Sequence, residues 1–386
     1  MEKITVGVIF GGRTVEHEVS IISALQAMLS LDTDKYQVVP IYISKEGRWY
    51  SGDNLMKLEN FRDMPALLKQ AREVCYSPAF GEQILFERFP ARRKIWQQRI
   101  DVMLPVVHGT FVEDGCLQGL LELSGIPYAG PGVLGSACGM DKIAMKAVLK
   151  EADIPVVDFY GFYFQQWQED QQKIVDILEE KLRYPLIVKP ANLGSSVGIG
   201  LARDRETLIS RIETAGEYAC RILVENAVEP LREINCAVLG KPGDIKLSLC
   251  EEPYSKEEIL SFADKYLSSS AKGMSGAKRR IPADLPDQTA EEIRSLAARA
   301  FTALDCRGVC RVDFLLNGET GRVYVNELNT IPGSLSFYLF EPAGVPYGEL
   351  LDTLIELAID RKRQQSKLNF CFDSNILSQS GFSGKK

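Results

Sequence analysis

The sequence predicts an α/β protein in which strands and helices alternate from the amino terminus. An apolar run at 4–10 stops at Gly11-Gly12, and helical spacing follows from Val19 to Leu29. A buried strand, a glycine turn and a helix in this order begin an α/β unit. At 386 residues, with 45% hydrophobic and 25% charged residues, the chain has the composition of a globular protein of two or three domains.

The same alternation continues along the chain. Helical spacing recurs at 135–152 and 348–365, and 53–98 holds helical but less regular sequence. A loop of small residues at 194–198 follows a strand that ends on a lysine. The strands predicted after the first are Gln37 to Ile43, Val102 to Val107, Tyr184 to Pro190, Cys220 to Glu225, Ile234 to Leu239, Val309 to Leu315 and Arg322 to Asn326.

These elements predict three domains. We expect an N-terminal α/β domain with a parallel sheet at 1–130, a central domain at 131–225 and a C-terminal domain at 226–370. Residues 252–282 are rich in Ser, Lys and Gly with weak periodicity, which predicts a lid. Residues 371–386 follow the last helix and are predicted to be a disordered tail.

Charge and composition exclude several classes of function. The 45 Lys and Arg against 52 Asp and Glu give a net charge of −7, so the chain lacks the basic surface that nucleic acid binding favours. Only two histidines are present, His17 and His108, and the nine cysteines form no CxxC pair, which argues against zinc and thiol redox sites. Neither a secretory segment nor a membrane span is evident, and we expect a cytoplasmic protein without nucleic acid or membrane partners.

The loop Gly194-Ser195-Ser196-Val197-Gly198 is the first candidate for ligand binding. Its small residues let backbone N–H groups approach a phosphate, and Lys189 at the end of the preceding strand supplies charge. A surface turn of Gly and Ser explains the loop equally well. It is neither a Walker A motif nor a GxGxxG fingerprint, which disfavours a P-loop kinase and a nicotinamide dehydrogenase.

Two neighbouring strands carry a second candidate site. Arg311 and Asp313 share one face of their strand, and Glu327 and Asn329 share one face of the next, because side chains alternate along a strand. A hairpin would bring two carboxylates and a carboxamide together, a set suited to Mg²⁺ bound with nucleotide phosphates. The alternative is a pair of solvent-facing polar rows, and the apolar neighbours of these residues favour the metal.

Two weaker signals involve glutamates and a basic run. Glu225 at a strand end could accept a hydrogen bond from an adenine amino group, and Glu233 could hold ribose hydroxyls, although glutamates near strand ends are usually solvated. The run Lys278-Arg279-Arg280 could bind an anion, but a solvated loop face is the favoured interpretation.

In order, these motifs resemble the ATP-grasp superfamily and, within it, the D-alanine–D-alanine ligases. The resemblance covers most of the chain. It is carried by Gly11-Gly12, Glu16-His17-Glu18-Val19-Ser20, His108-Gly109-Thr110, Glu113-Asp114-Gly115, Gln118-Gly119, Met140-Asp141-Lys142, Gly194-Ser195-Ser196-Val197-Gly198, Lys265-Tyr266, Arg311-Val312-Asp313, and Asn326-Glu327-Leu328-Asn329-Thr330-Ile331-Pro332-Gly333.

The resemblance implies an ATP-grasp fold, with two nucleotide-clamping domains after the N-terminal domain, and an ATP-dependent ligation. The carboxylate of a first D-alanine would be phosphorylated by ATP, and the amine of a second D-amino acid would then displace phosphate. Lys142 and Lys189 would bind the nucleotide phosphates, and Ser196 with its loop would close over them. Lys265 on the lid would approach the γ-phosphate.

The hairpin residues receive metal and oxyanion roles from the same resemblance. Asp313, Glu327 and Asn329 would hold two Mg²⁺ ions, or Mn²⁺, that bridge the phosphates. Arg311 and the backbone N–H of Gly333 would form the oxyanion hole. The family also implies a homodimer.

The N-terminal motifs would hold the first substrate. Glu16 matches the glutamate that receives its ammonium group, in a hydrogen-bonded network with Ser195 and Tyr266. His108 matches a family position near the substrates, although a hydrogen-bonded histidine at the end of a strand explains it equally well. Glu113 would help to position His108 without contacting the substrates itself.

The chain departs from the family pattern in the adenosine-binding segment and in the His-Gly motif. Val112 stands where the family usually has glycine, which should change only a loop conformation. The segment between Glu225 and Glu233 is one residue longer here than in the family. This leaves the ribose contact of Glu233 open.

A departure near the second substrate leaves its identity open. Where the family carries a serine that binds its carboxylate, this chain has Tyr338-Leu339, and Ser334 and Ser336 are alternative ligands. Tyr266 is the residue type found in relatives that use an amine nucleophile, so D-alanine or D-serine is expected rather than D-lactate. A regulatory protein that has lost catalysis would lack the metal and oxyanion residues, and all of them are present.

Overall fold

The computed structural model describes residues 2–89, 95–194, 197–253 and 279–374. Three sheets of four or seven strands follow one another along this part of the chain, and a two-stranded ladder accompanies the third. Most of the predicted lid and most of the predicted tail lie outside the described residues. Within the described ranges, no helix is both long and apolar enough to cross a membrane.

The N-terminal sheet is built around a buried central strand. Its strands are β1 (Ile4–Gly11), β2 (Tyr36–Ile43), β3 (Trp49–Ser51), β4 (Arg72–Tyr76), β5 (Ile84–Glu87), β6 (Gln97–Arg99) and β7 (Val102–Pro105), in the order β6-β5-β4-β3-β2-β1-β7. The helices of this region are α1 (His17–Ser30), α2 (Met64–Gln70) and α3 (Cys116–Ser124). Residues 5–11 of β1 are all buried, as expected for a strand covered on both faces.

One expectation for this region is wrong, and the expected parallel sheet is confirmed only around β1. Residues 53–98 are mostly not helical, because β4, β5 and β6 follow two short 3₁₀ turns and α2. In β4, Val74 and Tyr76 are buried and Cys75 between them is not, which is strand periodicity. The sheet is parallel only where β1 pairs with β2 and β7, and the ladders from β2 to β6 are antiparallel.

The central segment folds around an antiparallel sheet. The predicted helix at 135–152 is two helices, α4 (Val133–Met140) and α5 (Lys142–Glu151), because Asp141 between them caps α5 by accepting from the backbone N–H groups of Ile143 and Ala144. The elements that follow are β8 (Phe159–Tyr163), α6 (Phe164–Glu169), α7 (Gln171–Lys181), β9 (Leu186–Pro190), β10 (Gly200–Ala202), α8 (Arg205–Gly216) and β11 (Arg221–Asn226), with strand order β10-β9-β11-β8.

The C-terminal segment carries the longest strands. Its elements are β12 (Leu231–Lys241), β13 (Asp244–Leu247), β14 (Glu252–Pro253), β15 (Arg279–Arg280), α9 (Asp287–Ala303), β16 (Gly308–Asn317), β17 (Val323–Asn329), α10 (Phe337–Phe340) and α11 (Tyr347–Gln365). The sheet order is β13-β12-β16-β17, and β14 pairs with β15. The strands predicted near 234–239, 309–315 and 322–326 and the last helix are confirmed.

Each large sheet has its own hydrophobic core. The second sheet packs its buried face on α7 and α8, and the third packs Phe314 and its neighbours on α9 through Phe301. The core of the first sheet also contains Leu350 and Leu354 of α11. The C-terminal helix therefore packs on the N-terminal sheet, which brings the end of β17 and the loop after it close to β1 and β7.

Candidate active site

A small polar cleft lies where residues from all three segments meet. Two cations and three carboxylates line it, so it is built for charged ligands. Its lining residues are Glu16, His108, Glu113, Gly139, Met140, Lys142, Gly194, Arg311, Glu327, Leu328, Asn329, Ile331 and Gly333.

The β16–β17 hairpin brings the four predicted hairpin residues together. In the antiparallel register Arg311 lies opposite Asn329 and Asp313 lies opposite Glu327, so all four project from one face. The Asn329 side-chain amide donates to Asp313 Oδ2 at 3.0 Å. The alternative of two solvent-facing polar rows is wrong, since Arg311 and Asp313 are each less than 15% exposed in their side chains.

Arg311 and Asp313 form a bidentate ion pair. Arg311 Nε donates to Asp313 Oδ1 at 2.6 Å, and its Nη2 donates to Oδ2 at 2.7 Å. Burial opposes the charge of Arg311, but attraction to Asp313 overcomes it and holds the pKa of Arg311 well above its ordinary value. The guanidinium therefore binds both carboxylate oxygens of Asp313.

Lys142 is held at the start of α5 with its ammonium group in the cleft. Its Nζ lies 3.3 Å from Glu327 Oε2 and donates to the carbonyl of Leu193 at 2.9 Å. The Asp141 cap fixes the first turn of α5, and Lys142 N–H donates to Ala191 O at 2.8 Å. Two separate contacts thus fix the backbone from which Lys142 reaches Glu327.

Lys189 and Glu225 belong to a buried group of three charges. Lys189 Nζ lies 2.5 Å from Glu225 Oε1 and donates to Asn326 Oδ1 at 2.9 Å. Lys146 Nζ lies 3.1 Å from Glu225 Oε2, and the side chains of both are essentially unexposed. Burial alone would raise the pKa of Glu225, but attraction to both lysines outweighs it and lowers that pKa.

This group changes two interpretations of the sequence. Glu225 is not a solvated glutamate, because it lies within β11 with 1% of its surface exposed. Glu233 lies on β12 and is partly exposed. Lys146 was missed by the sequence reasoning, although its position four residues after Lys142 puts both on one face of α5, a signal that could have found it.

Glu16 is enclosed by two glycines. It is 8% exposed, and a Cβ atom placed on Gly194 or on Gly109 would lie 2.9 Å from its Oε2. Gly109 also has φ +85°, a left-handed conformation that favours glycine. The backbone after β7 and the loop that begins at Gly194 can therefore approach the Glu16 carboxylate closely.

Glu113 ties the loop after β7 to the chain after β17. It accepts from the backbone N–H groups of Gly109 at 3.0 Å and Ile331 at 2.9 Å, and from the Thr330 hydroxyl at 3.2 Å. Burial, reinforced by the charge of Glu16, raises the pKa of Glu113 to about 7. Glu113 is thus a buried acid whose ionisation falls in the neutral range.

We expect Glu113 to make stability fall as the pH rises. Its folded-state pKa lies above its unfolded value, so its contribution to stability is fully present below the unfolded pKa and is lost as the pH rises through about 7. Glu113→Gln removes this titration. Urea unfolding between pH 6 and 8.5 should show the wild type losing about 1–2 kcal/mol relative to the variant. Parallel pH profiles of the two proteins would contradict the assignment.

His108 has hydrogen-bond partners on both ring nitrogens. Burial lowers its pKa, so the neutral ring donates from Nδ1 to Ile331 O at 2.8 Å and accepts at Nε2 from the Ser23 hydroxyl at 3.2 Å. Ser23 Oγ in turn accepts from the backbone N–H of Ser334 at 2.9 Å. This chain of bonds fixes the 331–334 backbone and supports the satisfied-histidine interpretation, while His108 still lines the cleft.

The four residues predicted to meet the second substrate differ in their surroundings. Ser334 Oγ donates to Gln26 Oε1 at 2.7 Å, and Leu339 is fully buried in the core. Ser336 and Tyr338 are buried; the Ser336 hydroxyl has no hydrogen-bond partner among the described residues, and Tyr338 lies against the Arg279 guanidinium. Residues 334–336 all have φ near +51°, a conformation that costs about 1–2 kcal/mol for each non-glycine residue.

The prediction of a solvated face for 278–280 is wrong for Arg279. Its side chain is 9% exposed, its Nη1 donates to Glu251 Oε1 at 2.7 Å, and its guanidinium lies over the Tyr338 ring at 4.1 Å from the centroid. Arg280 is exposed and pairs with Asp284. Strand pairing of β15 with β14 explains the difference, because successive side chains point to opposite faces.

Four predicted residues lie outside the described part of the chain. They are Ser195, Ser196, Lys265 and Tyr266. Within the described ranges, no group of three His, Cys, Asp or Glu side chains is arranged to hold a metal. The predicted ligand set is compatible with that, since it consists of two carboxylates and the amide oxygen of Asn329.

The chain matches two family descriptions and many relatives. "D-ala D-ala ligase N-terminus" matches residues 5–131, and "D-ala D-ala ligase C-terminus" matches 148–356. A D-alanine–D-alanine ligase of Acetivibrio thermocellus is 40% identical over 380 residues, which is 95% of this chain and 98% of that protein.

Solved structures show the same likeness. The D-alanine–D-alanine ligase of Coxiella burnetii superposes with a TM-score of 0.79 at 35% identity, covering 95% of this chain and 97% of that one. The VanG D-Ala:D-Ser ligase of Enterococcus faecalis superposes with a TM-score of 0.78 at 29% identity, covering 92% of this chain and 100% of that one. With its cleft, its mixed α/β sheets and these relatives, the chain belongs to the D-alanine–D-alanine ligase family, whose fold is ATP-grasp.

Proposed function

We propose that this cleft performs the family reaction, the ATP-dependent joining of two D-alanines for peptidoglycan precursor synthesis. The observation that carries the proposal is the convergence of oxygen donors and cations in one cleft. Lys142, Arg311, Glu327 and Asn329 line the cleft, and Asp313 lies opposite Glu327 on the same hairpin. A first D-alanine is converted to an acyl phosphate by the γ-phosphoryl group of ATP, and the second D-alanine displaces phosphate with its amine.

Lys142 and Lys189 hold the nucleotide phosphates in this proposal. Lys142, Lys146 and Lys189 face two nearby glutamates, Glu225 and Glu327, so these five groups carry a net charge of +1. A buried excess of positive charge favours an anionic ligand beside it. The rest of the ATP site is assigned by resemblance to Ser196, Glu233 and Lys265. The Glu225 carboxylate would accept a hydrogen bond from the adenine amino group.

Lys146 should strengthen ATP binding without touching the phosphates. We expect Lys146→Met to raise the KM for ATP about tenfold, because the remaining Glu225–Lys189 pair is neutral and holds Lys189 more tightly, a change of about 1.4 kcal/mol. The KM for D-alanine should stay within twofold. The matched control is Lys150→Met, the same change one turn along α5 at an exposed position. Equal ATP KM values for the two variants would contradict the role of Lys146.

Asp313, Glu327 and Asn329 hold Mg²⁺ or Mn²⁺. They fit a hard cation, since two carboxylates and an amide oxygen are hard donors and the three residues lie on one face of the β16–β17 hairpin. A bound cation would offset phosphate charge during transfer. Asp313 would be shared between such a cation and Arg311, which donates to both of its carboxylate oxygens.

The first D-alanine binds with its ammonium group at Glu16. The support is a buried carboxylate enclosed by Gly109 and Gly194 and facing the cleft. Ser195 and Tyr266 extend this site by resemblance. Arg311 and the N–H of Gly333 stabilise the oxyanion, since both line the cleft and the Gly333 segment is fixed through Glu113 and Ile331.

D-serine is the second candidate acceptor. It is retained because a D-Ala:D-Ser ligase also superposes, at lower identity than the Coxiella burnetii ligase, and because Tyr338 at the usual serine position leaves the acceptor open. The deciding experiment supplies ATP and Mg²⁺ with D-alanine alone, or with D-alanine plus D-serine or D-lactate, and measures phosphate release and product mass. D-alanyl-D-alanine should dominate with D-alanine alone. Failure to form it at saturating D-alanine would refute the main proposal.

Two further properties are proposed from the family. We expect a homodimer, which light scattering after size-exclusion chromatography would detect as about twice the monomer mass of 43.0 kDa. We also expect the reaction to take place in the cytoplasm, where ATP is supplied.

A further inference from the structure

His17 follows directly after Glu16, the residue proposed to hold the ammonium group of the first D-alanine. It is the first residue of α1 and is 3% exposed. Its Nδ1 lies 2.7 Å from the carbonyl oxygen of Gly12, and its Nε2 lies 3.0 Å from the hydroxyl of Tyr42. His17 is not among the residues that line the cleft, so its buried imidazole has no part in the chemistry proposed above.

The two partners of the His17 ring fix its protonation state. A backbone carbonyl can only accept a hydrogen bond, so Nδ1 carries the proton and donates to Gly12 O. Nε2 then accepts from the Tyr42 hydroxyl, and the two rings meet edge to face with their centroids 5.5 Å apart. Burial lowers the pKa of His17, which keeps the ring neutral in this arrangement. The imidazole is therefore held by Tyr42 on one side and holds Gly12 on the other.

The bond to Gly12 closes the loop that carries Glu16 onto the start of α1. Gly12 N–H donates to Ile43 O at 2.8 Å, so both backbone polar groups of Gly12 are held. Gly12 also has φ +115°, a backbone conformation that favours glycine. Within the same loop, Glu16 N–H donates to Thr14 Oγ1 at 3.2 Å. The side chain of His17 thus fixes the distance between the two ends of the loop, and with it the direction of the backbone at Glu16.

Glu16 depends on a fixed backbone because its carboxylate is crowded and repelled. Gly109 and Gly194 approach so closely that a Cβ atom on either would lie 2.9 Å from Glu16 Oε2. The charge of Glu16 raises the pKa of Glu113, so the two carboxylates repel each other when both are ionised. The anchor at His17 opposes the displacement of Glu16 that this repulsion favours.

We propose that His17, oriented by Tyr42, is a positioning residue for the donor D-alanine. It acts through Glu16, by holding the 12–16 loop so that the carboxylate meets the ammonium group of the first substrate. This inference rests on the proposed function, in which Glu16 receives that ammonium group. The effect should fall on the donor, because the groups proposed to bind ATP and to stabilise the oxyanion lie on other segments of the chain.

Two amide substitutions separate the two bonds that the imidazole makes. The side-chain nitrogen of Asn lies as many bonds from the Cα as Nδ1 of His, and that of Gln lies as many as Nε2. His17→Asn therefore keeps a donor for Gly12 O, whereas His17→Gln keeps a contact with Tyr42 and gives up the bond to Gly12.

The two variants should differ in the KM for the donor D-alanine. His17→Gln should raise it about tenfold, and His17→Asn should keep it within about threefold of the wild type. The KM for ATP should stay within about twofold in both. Phosphate release as a function of D-alanine concentration, fitted with separate constants for the two D-alanine sites, measures the donor value. A wild-type donor KM in His17→Gln would overturn the inference.

Ser51→Ala is the matched control for the loss of a buried hydrogen bond. Ser51 is buried, and its Oγ donates to the backbone carbonyl of Pro40 on β2 at 2.8 Å. This variant should lose stability without changing the KM of either D-alanine. Urea unfolding places it and the two His17 variants on one scale. A donor KM that rose in proportion to the lost stability in all three would show that His17 acts only through folding.

Two measurements on the free protein do not depend on turnover. Because the chain has only two histidines, NMR of ¹⁵N-labelled histidine identifies His17 by comparison with His17→Asn, and it should show a ring protonated at Nδ1. Amide hydrogen exchange at 12–16 should be faster in His17→Gln than in the wild type and unchanged in His17→Asn. A ring protonated at Nε2 instead, or equal exchange in all three proteins, would overturn the inference.

These measurements keep the inference apart from the proposed function. A wild-type protein that released no phosphate with ATP, Mg²⁺ and D-alanine would refute the proposed function. The exchange rates at 12–16 would still decide whether His17 holds the loop that carries Glu16.

Discussion

Arg311→Ala should lower kcat at least 1000-fold while the protein remains folded. Removing a single neutral oxyanion donor costs enzymes about 100- to 1000-fold, and Arg311 contributes a buried charge in addition to its N–H groups. In rate terms a 1000-fold loss corresponds to about 4 kcal/mol of transition-state stabilisation. Steady-state phosphate release at saturating ATP, D-alanine and Mg²⁺ measures it.

A matched variant shows whether Arg311→Ala lowers kcat through the reaction itself or through a loss of stability. Arg232→Ala removes an arginine of the neighbouring strand β12 that makes a comparable bidentate pair, with both contacts to Glu252 at 2.8 Å, but does not line the cleft. Arg232→Ala should retain kcat within about threefold. Near-normal kcat in Arg311→Ala would show that Arg311 is not needed for the reaction, and equal losses in the two variants would show that it acts only through folding.

The fold was predictable where local pattern and burial agree. Strand β1 and the β16–β17 hairpin are long and their apolar residues recur at strand spacing, so their positions were predicted to within one to three residues. The strands between 72 and 99 are three to five residues long towards the edge of the sheet, and β4 has two buried residues, β5 one and β6 none. Such short strands are specified by their pairing partners, which a single sequence does not display.

The site was predictable in part for the same reason. Residues two apart on a strand share a face by backbone geometry alone, which is why Arg311 and Asp313 were found together. Arg279 was misjudged because its partner Glu251 is 28 residues away and meets it only through the β14–β15 ladder. Lys146 was missed for the same reason, because the carboxylate that compensates its charge, Glu225, lies on a strand far away in the sequence.

Glu327→Gln should lower kcat about 100- to 1000-fold and shift the metal requirement to higher concentration. The amide keeps the shape of the side chain but loses the charge that attracts a divalent cation and that pairs with Lys142 at 3.3 Å. Half-maximal activity should therefore need about tenfold more Mg²⁺ or Mn²⁺ than in the wild type, as measured by titrating each metal at fixed ATP.

Glu349→Gln controls for the loss of an ion pair alone. Glu349 contacts Lys246 at 3.2 Å, nearly the same distance, on an exposed part of α11 away from the cleft. It should change neither kcat nor the metal dependence, because exposed pairs contribute about 0–1 kcal/mol to stability. If Glu327→Gln kept the wild-type metal dependence despite a lower kcat, Glu327 would act by orienting Lys142, and Asp313 with Asn329 would be left as the metal ligands.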